Sequence, residues 1–80
     1  MEIKFNYYLK VKKIMERDYD VLNFNEPVSI KEMITNNLDK SNKIDLSEIL
    51  IISDGKTIDD LNMLIDKDTV FSICPKIYGG

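Results

Sequence analysis

The sequence predicts a small α+β domain, a mixed four- to five-stranded sheet with one main helix packed on one face. Three observations carry that reading. Residues 2–9 alternate apolar and polar, Ser29-Ile30-Lys31-Glu32 opens an amphipathic helix, and residues 69–74 form a last apolar strand. Eighty residues make one domain, and burial at that length is marginal. A single cysteine rules out an internal disulfide, so close packing of Ile, Leu, Val, Phe and Met must supply the core.

The first strand is the clearest. Ile3, Phe5, Tyr7 and Leu9 share one face, and Glu2, Lys4, Asn6 and Tyr8 share the other. Period two over eight residues means a half-buried strand. Lys12 to Asp18 connects it to a second, weaker strand at Asp20–Phe24, with room for a turn of helix between them. Leu22 and Phe24 are expected to point inward.

Ser29 and Glu32 match the capping box, in which a serine side chain caps the helix start and the glutamate reaches back. Ile30, Met33, Ile34 and Leu38 then recur at helical spacing, so residues 30–38 read as an amphipathic helix. The polar stretch Asp39-Lys40-Ser41-Asn42-Lys43 reads as a loop.

Ile49-Leu50-Ile51-Ile52 is a continuous apolar run and suits an interior strand. Asp54-Gly55 follows, a strong signal for a type I′ hairpin, whose central residues both need positive φ. Residues 56–58 return as a brief strand. Leu61, Met63, Leu64 and Ile65 are expected to pack over this corner, and residues 66–68 turn into the last strand at 69–74. The one-striped helix must lie on one face of the sheet, with the first and last strands adjacent at its centre. That arrangement is the ubiquitin-like β-grasp, with residues 1–74 as the domain and 75–80 as a flexible tail.

The chemistry the chain lacks is as informative. It has no histidine, the commonest general base and metal ligand. One cysteine cannot form a thiolate metal site, and no glycine-rich phosphate loop exists. Asp59-Asp60 and Asp66-Lys67-Asp68 fall at expected turns, where aspartate makes local hydrogen bonds. Intrinsic catalysis is not expected. A net charge of −3 argues against nucleic acid, and Lys10, Lys12 and Lys13 are followed at once by acidic residues. No apolar run reaches the length of a membrane span. Met1-Glu2-Ile3-Lys4 lacks a signal-peptide pattern, and a free cysteine suits a cytoplasmic protein.

The sequence finishes Pro75-Lys76-Ile77-Tyr78-Gly79-Gly80. Without side chains, Gly79 and Gly80 can thread a narrow channel and present the Gly80 carboxylate to another protein. Chance gives such a pair in about 0.5% of chains, so the motif gains weight only from what precedes it. Ile77 and Tyr78 have nothing obvious to pack on and read as partner contacts. On the last strand, Val70, Ser72 and Cys74 face one side and Phe71 and Ile73 the other. Alternation alone leaves open which side is buried, so Phe71 and Ile73 stand as candidates both for the core and for a partner-docking face. Cys74 reads as a small apolar filler, with a thiol able to pair with an activating enzyme as the functional alternative.

Phe5 to Ile14, with its paired Tyr7 and Tyr8 and its basic segment, resembles the small subunit of molybdopterin synthase. Residues 68–75 leading to Gly79-Gly80 are similar to that family's final strand and diglycine tail, while residues 55–63 look more like ubiquitin. The resemblance to these β-grasp sulfur carriers, which include the thiamine-pathway carrier, covers nearly the whole chain. It departs in having one proline, Pro75, followed by Lys76, in placing Tyr78 where a small residue is common, and in a spacing one residue long between the Asp68 turn and the diglycine.

The resemblance implies a carrier rather than an enzyme, with no bound cofactor. A ubiquitin-activating-like adenylyltransferase would use ATP to turn the Gly80 carboxylate, a poor acyl donor, into a mixed anhydride with a good leaving group. Sulfur would then give a thiocarboxylate for cofactor biosynthesis, delivered tail-first to a large synthase subunit. Pro75, Lys76, Ile77 and Tyr78 would contact these partners. Two alternatives stay open: a ubiquitin-like modifier joined through Gly80 to target proteins by conjugation machinery, and a β-grasp interaction domain.

Overall fold

The computed structural model describes residues 1–38 and 45–76. Strand β1 (Glu2–Tyr7) leads into helix α1 (Leu9–Met15) and strand β2 (Tyr19–Asn23). A two-residue strand β3 (Val28–Ser29) runs directly into helix α2 (Ile30–Asn37). A 3₁₀ turn (Leu46–Glu48) precedes β4 (Ile49–Ser53), β5 (Lys56–Thr57), β6 (Leu64–Ile65) and β7 (Thr69–Pro75). The main sheet has the order β2, β1, β7, β4, β5; β3 and β6 form a separate ribbon. The first and last strands are parallel neighbours at its centre, with Phe5 beside Phe71 and Tyr7 beside Ile73. The predicted mixed sheet with a helix on one face is the architecture found.

The core lies between that sheet and the two helices. Ile3, Phe5, Phe71 and Ile73 from the sheet meet Ile30, Met33, Ile34 and Leu38 from the helical segment, all fully buried. Each such side chain contributes about 2 kcal/mol by leaving water. The Phe5 and Phe71 rings pack 5.7 Å apart at a tilt of 34°, a favourable aromatic geometry.

Three elements differ from the sequence reading, each for a local reason. Strand β1 stops at Tyr7 rather than residue 9. Tyr8 N–H still donates to the Ile73 carbonyl, but Leu9 takes φ +52° and turns the chain out of the sheet. Leu9 is therefore 68% exposed rather than inward. Helix α1 begins three residues earlier than the turn expected at 12–18, burying Val11 and Met15, and Glu16 closes it in the left-handed conformation with φ +60°. Leu64 and Met63 are exposed, because the β3–β6 pairing turns only Ile65 inward.

That pairing also solves a problem at the start of α2. The first N–H groups of any helix lack partners within it. Here Ile30 N–H donates to the Met63 carbonyl, Lys31 N–H to the Leu61 carbonyl, and Glu32 N–H to Ser29 Oγ at 3.1 Å. The serine cap is thus in place as predicted. Asp54 and Gly55 both have positive φ, +52° and +76°, as the type I′ hairpin between β4 and β5 requires. The expected loop at 39–43 and the tail residues 77–80 lie outside the described residues.

Candidate functional site: the root of the tail and the open sheet face

Strand β7 carries the chain to the tail, and its last residues are held from one side only. Lys76 N–H donates to the Glu48 carbonyl at 2.8 Å, continuing the register in which Leu50 faces Cys74 and Ile49 faces Pro75. Along β7 the even residues hydrogen-bond toward β4 and the odd ones toward β1, as the bond from Tyr8 N–H to the Ile73 carbonyl shows. An N–H at position 75 would therefore point toward the Tyr8 carbonyl. That carbonyl already accepts from Val11 and Lys12 at the start of α1, at 3.1 and 3.4 Å. Proline, which has no N–H, leaves no orphan donor there. Pro75 thus ends the pairing with β1 while β4 keeps its hold through Lys76. It belongs to the strand, one residue past the expected domain boundary. Beside this root lies a notch of about 170 Å³ lined by Leu46, Ile49, Ile51, Ile58, Leu61 and Lys76, among others.

The alternation along β7 that the sequence left open is resolved. Phe71 and Ile73 are 0% exposed, inside the core cluster, with the Phe71 ring against Phe5. A side chain with no surface offers nothing to a partner, so the expectation that Phe71 and Ile73 contact one is corrected: they are core residues. The opposite face of the sheet is open. Val70 is 53% exposed, with Ser72 and Cys74 half-buried further along the same side. Leu50 and Ile52 of β4 lie beside Cys74 and Ser72. Tyr8 is still extended and exposed where β1 ends. On the far side, Tyr19 and Val21 of β2 flank Asn6 and Lys4, and the Lys4 ammonium sits 4.6 Å from the Tyr19 ring centre. The result is a largely apolar lane across the sheet that runs toward the tail.

Sequence reading put Tyr8 on the outer face and left the exposed side of β7 open, but it took the run from Ile49 to Ile52 as interior and so missed Leu50 and Ile52 at the open face. The available signal was the polar set of β1: once Phe5 is placed beside Phe71, Lys4 and Val70 must share the outer face. Cys74 lies at the margin of this lane. Its partial burial pushes the thiol pKa up.

The polar cluster on the core side holds the sheet's other margin. Tyr7 Oη donates to Asp20 Oδ2 at 2.6 Å. Arg17 Nε contacts both Asp20 carboxylate oxygens, at 2.7 and 2.8 Å, and Asn37 Nδ2 donates to Tyr7 Oη at 2.7 Å. Burial alone raises the Asp20 pKa, but hydrogen bonds from Arg17, Tyr7 and Asn37 outweigh it and leave it below the ordinary carboxylate value. Burial, reinforced by the neighbouring Asp20, drives the Tyr7 phenol well above its ordinary value. Asp20 therefore stays ionised and Tyr7 neutral at neutral pH, and the cluster ties β1, β2 and α2 together.

The fold and the tail root together define a ubiquitin-like β-grasp domain. No family model matches the sequence, and no curated protein matches it by sequence. Solved structures do. SAMP1 from Haloferax volcanii superposes with a TM-score of 0.76 over 100% of both chains at 8% identity. A chain from the complex of subunits 1 and 2 of the molybdopterin-converting factor of Helicobacter pylori 26695 gives 0.70 over 100% of both chains at 21% identity. A protein described as molybdopterin converting factor subunit 1 from Pyrococcus furiosus gives 0.75 at 13% identity, over 96% of this chain and 99% of that one. At these identities the likeness establishes the fold, end to end. Among the described residues, no helix is long and apolar enough to cross a membrane.

Proposed function

We propose that this chain is a small carrier protein, not a catalyst, that works through the carboxylate of Gly80. The observation that carries the reading is how β7 ends. A strand fixed in the middle of the sheet delivers Pro75 and Lys76, pinned by one backbone hydrogen bond, from the edge of an exposed apolar face. Ile77, Tyr78, Gly79 and Gly80 follow directly in the sequence. A rigid base with an apolar face suits docking, and a glycine end suits entry into a partner's active site.

In this account a ubiquitin-activating-like adenylyltransferase docks on the lane around Val70, with Pro75, Lys76, Ile77 and Tyr78 guiding the tail. The Gly80 carboxylate attacks the α-phosphorus of ATP and releases pyrophosphate. A sulfur nucleophile then displaces AMP and leaves a thiocarboxylate, which a larger synthase subunit consumes in cofactor biosynthesis. The Helicobacter pylori neighbour, solved as a complex of two subunits, supports a protein partner of that kind. The absence of histidine fits a protein that leaves acid–base chemistry to its partners. A second reading, conjugation of Gly80 to target proteins, is favoured by the likeness to SAMP1, a small archaeal modifier protein. A free cysteine suits a reducing compartment such as the cytoplasm for either activity.

The test is ATP–pyrophosphate exchange with the activating enzyme of the same organism. The intact chain should support exchange and a chain lacking Gly80 should not, with unchanged circular dichroism. Undiminished exchange without Gly80 would sink the proposal.

A further inference from the structure

The sheet has two edges, and they are not equally protected. On one side β5 is only two residues long, Lys56–Thr57. On the other, β2 is a five-residue strand paired in unbroken register with β1, from Glu2 opposite Asn23 to Asn6 opposite Tyr19. The hydrogen-bond phase along it is set by its flanks. Tyr7 N–H donates to the Asp18 carbonyl, and Phe24 N–H donates to the Met1 carbonyl. Even-numbered residues of β2 therefore bond toward β1. Tyr19, Val21 and Asn23 direct their N–H and C=O groups away from the sheet, at the open edge.

Natural edges are blunted by proline, lysine, a bulge or an inward-pointing charge. Residues 19–23 contain neither proline nor lysine, and the continuous register leaves no bulge. The inward charge that is present, Asp20, is satisfied within the chain by Arg17 and Tyr7, so it does not repel an incoming strand. Three side chains face outward, all uncharged: Tyr19 and Val21, 53% and 41% exposed, and the exposed Asn23, where an edge normally carries charge.

We infer that β2 is a pairing edge for a second copy of this chain, joined antiparallel about a two-fold axis through Val21. The strand is complementary to itself in that register. Val21 meets Val21 as a hydrogen-bonded pair, Tyr19 meets Asn23 on each side, and Asp20 faces Leu22. No like charges oppose each other along residues 19–23, and all three outward N–H groups of each strand find acceptors. The two five-stranded sheets become one, and the apolar lane at Tyr19 and Val21 continues across the axis. Two strands separate this edge from β4, which holds the tail root, so the dimer seam lies away from that root and is independent of the carrier proposal. A contact of this kind is smaller than a standard interface, so the dimer is weak and exchanges rapidly.

Sedimentation equilibrium over a concentration series reaching about 1 mM tests it, together with amide hydrogen exchange at the two ends of the series. The wild-type chain should pass from monomer to dimer, and the Tyr19, Val21 and Asn23 amides should gain protection only at the high end. Val21→Pro removes an outward N–H and no bond to β1, and should raise the dissociation constant at least tenfold with native circular dichroism. Val21→Lys places two ammonium groups together on the axis and should do the same, more strongly at low salt. It decides the matter if the proline variant is misfolded. A wild-type chain that stays monomeric throughout, or a dimer that the folded Val21→Lys variant leaves intact, overturns the inference.

Discussion

Asp20 offers the sharpest test of how this fold is held at its margin. It is 22% exposed, accepts the Tyr7 hydroxyl at 2.6 Å and is gripped by both the Nε and the second terminal nitrogen of Arg17. Replacing it with alanine removes two main interactions. The charged hydrogen bond to Tyr7 is worth about 1.5–3 kcal/mol. The ion pair with Arg17, itself 45% exposed, adds only about 0.5 kcal/mol after solvent screening. The Tyr7 hydroxyl keeps its contact from Asn37, so its desolvation is not wholly uncompensated. The expected loss for Asp20→Ala is about 2–3 kcal/mol, or roughly 10–15 °C in melting temperature for a domain this small. Asp20→Asn keeps the shape and a neutral hydrogen bond and should lose about 1 kcal/mol. The sign of the pH dependence follows from the depressed pKa. The carboxylate's contribution is fully present above its unfolded value of about 3.9 and is lost as pH falls through the lower folded value. Urea denaturation of wild type and Asp20→Asn at pH 7 and near pH 2 should therefore show a gap that closes in acid. An equal gap at both pH values, or a loss under about 0.5 kcal/mol for Asp20→Ala, would refute the reasoning.

Phe71→Ala should cost about 3–5 kcal/mol, because the ring is fully buried and packs on Phe5; denaturant melts check it, and a surface-like loss below 1 kcal/mol would contradict the core assignment. Gly55→Ala should cost about 1 kcal/mol. A Cβ there meets nothing within 4 Å, so the loss reflects the φ of +76° alone, and Gly55→Asn should recover part of it in thermal melts. Val70→Glu places a carboxylate beside Lys4 on the open face and should leave the melting temperature within a few degrees. It should weaken the activating enzyme's apparent KM for the chain at least tenfold in pyrophosphate exchange.

Much of this fold was legible because its strongest signals are local. Ser29 is followed three residues later by Glu32, and the apolar stripe from Ile30 to Leu38 allows only one buried face. Asp54-Gly55 specifies its own turn. What escaped reading depends on partners distant in sequence. Leu9 continues the alternation of β1, yet the carbonyl of Tyr8 is taken by Val11 and Lys12, and the chain leaves the sheet one step early. Glu16 sits in a left-handed cap that its residue type does not advertise. Leu64 and Ile65 look equally apolar, and only pairing with Val28 and Ser29 decides which is inside. The same limit applied at the site. The two faces of β7 are both apolar in sequence, and the parallel register with β1 was needed to send Phe71 and Ile73 inward and Val70 outward. The Arg17–Asp20–Tyr7–Asn37 cluster spans three elements and had no signature in the chain.

The central claim is that Gly80 is the reacting end, and the most direct measurement is the mass of the C-terminal peptide recovered from native cells. A gain matching one oxygen replaced by sulfur at Gly80 is the predicted result. A Gly80 found in every sample as a plain carboxylate, in cells where the activating enzyme is present and active, would contradict it.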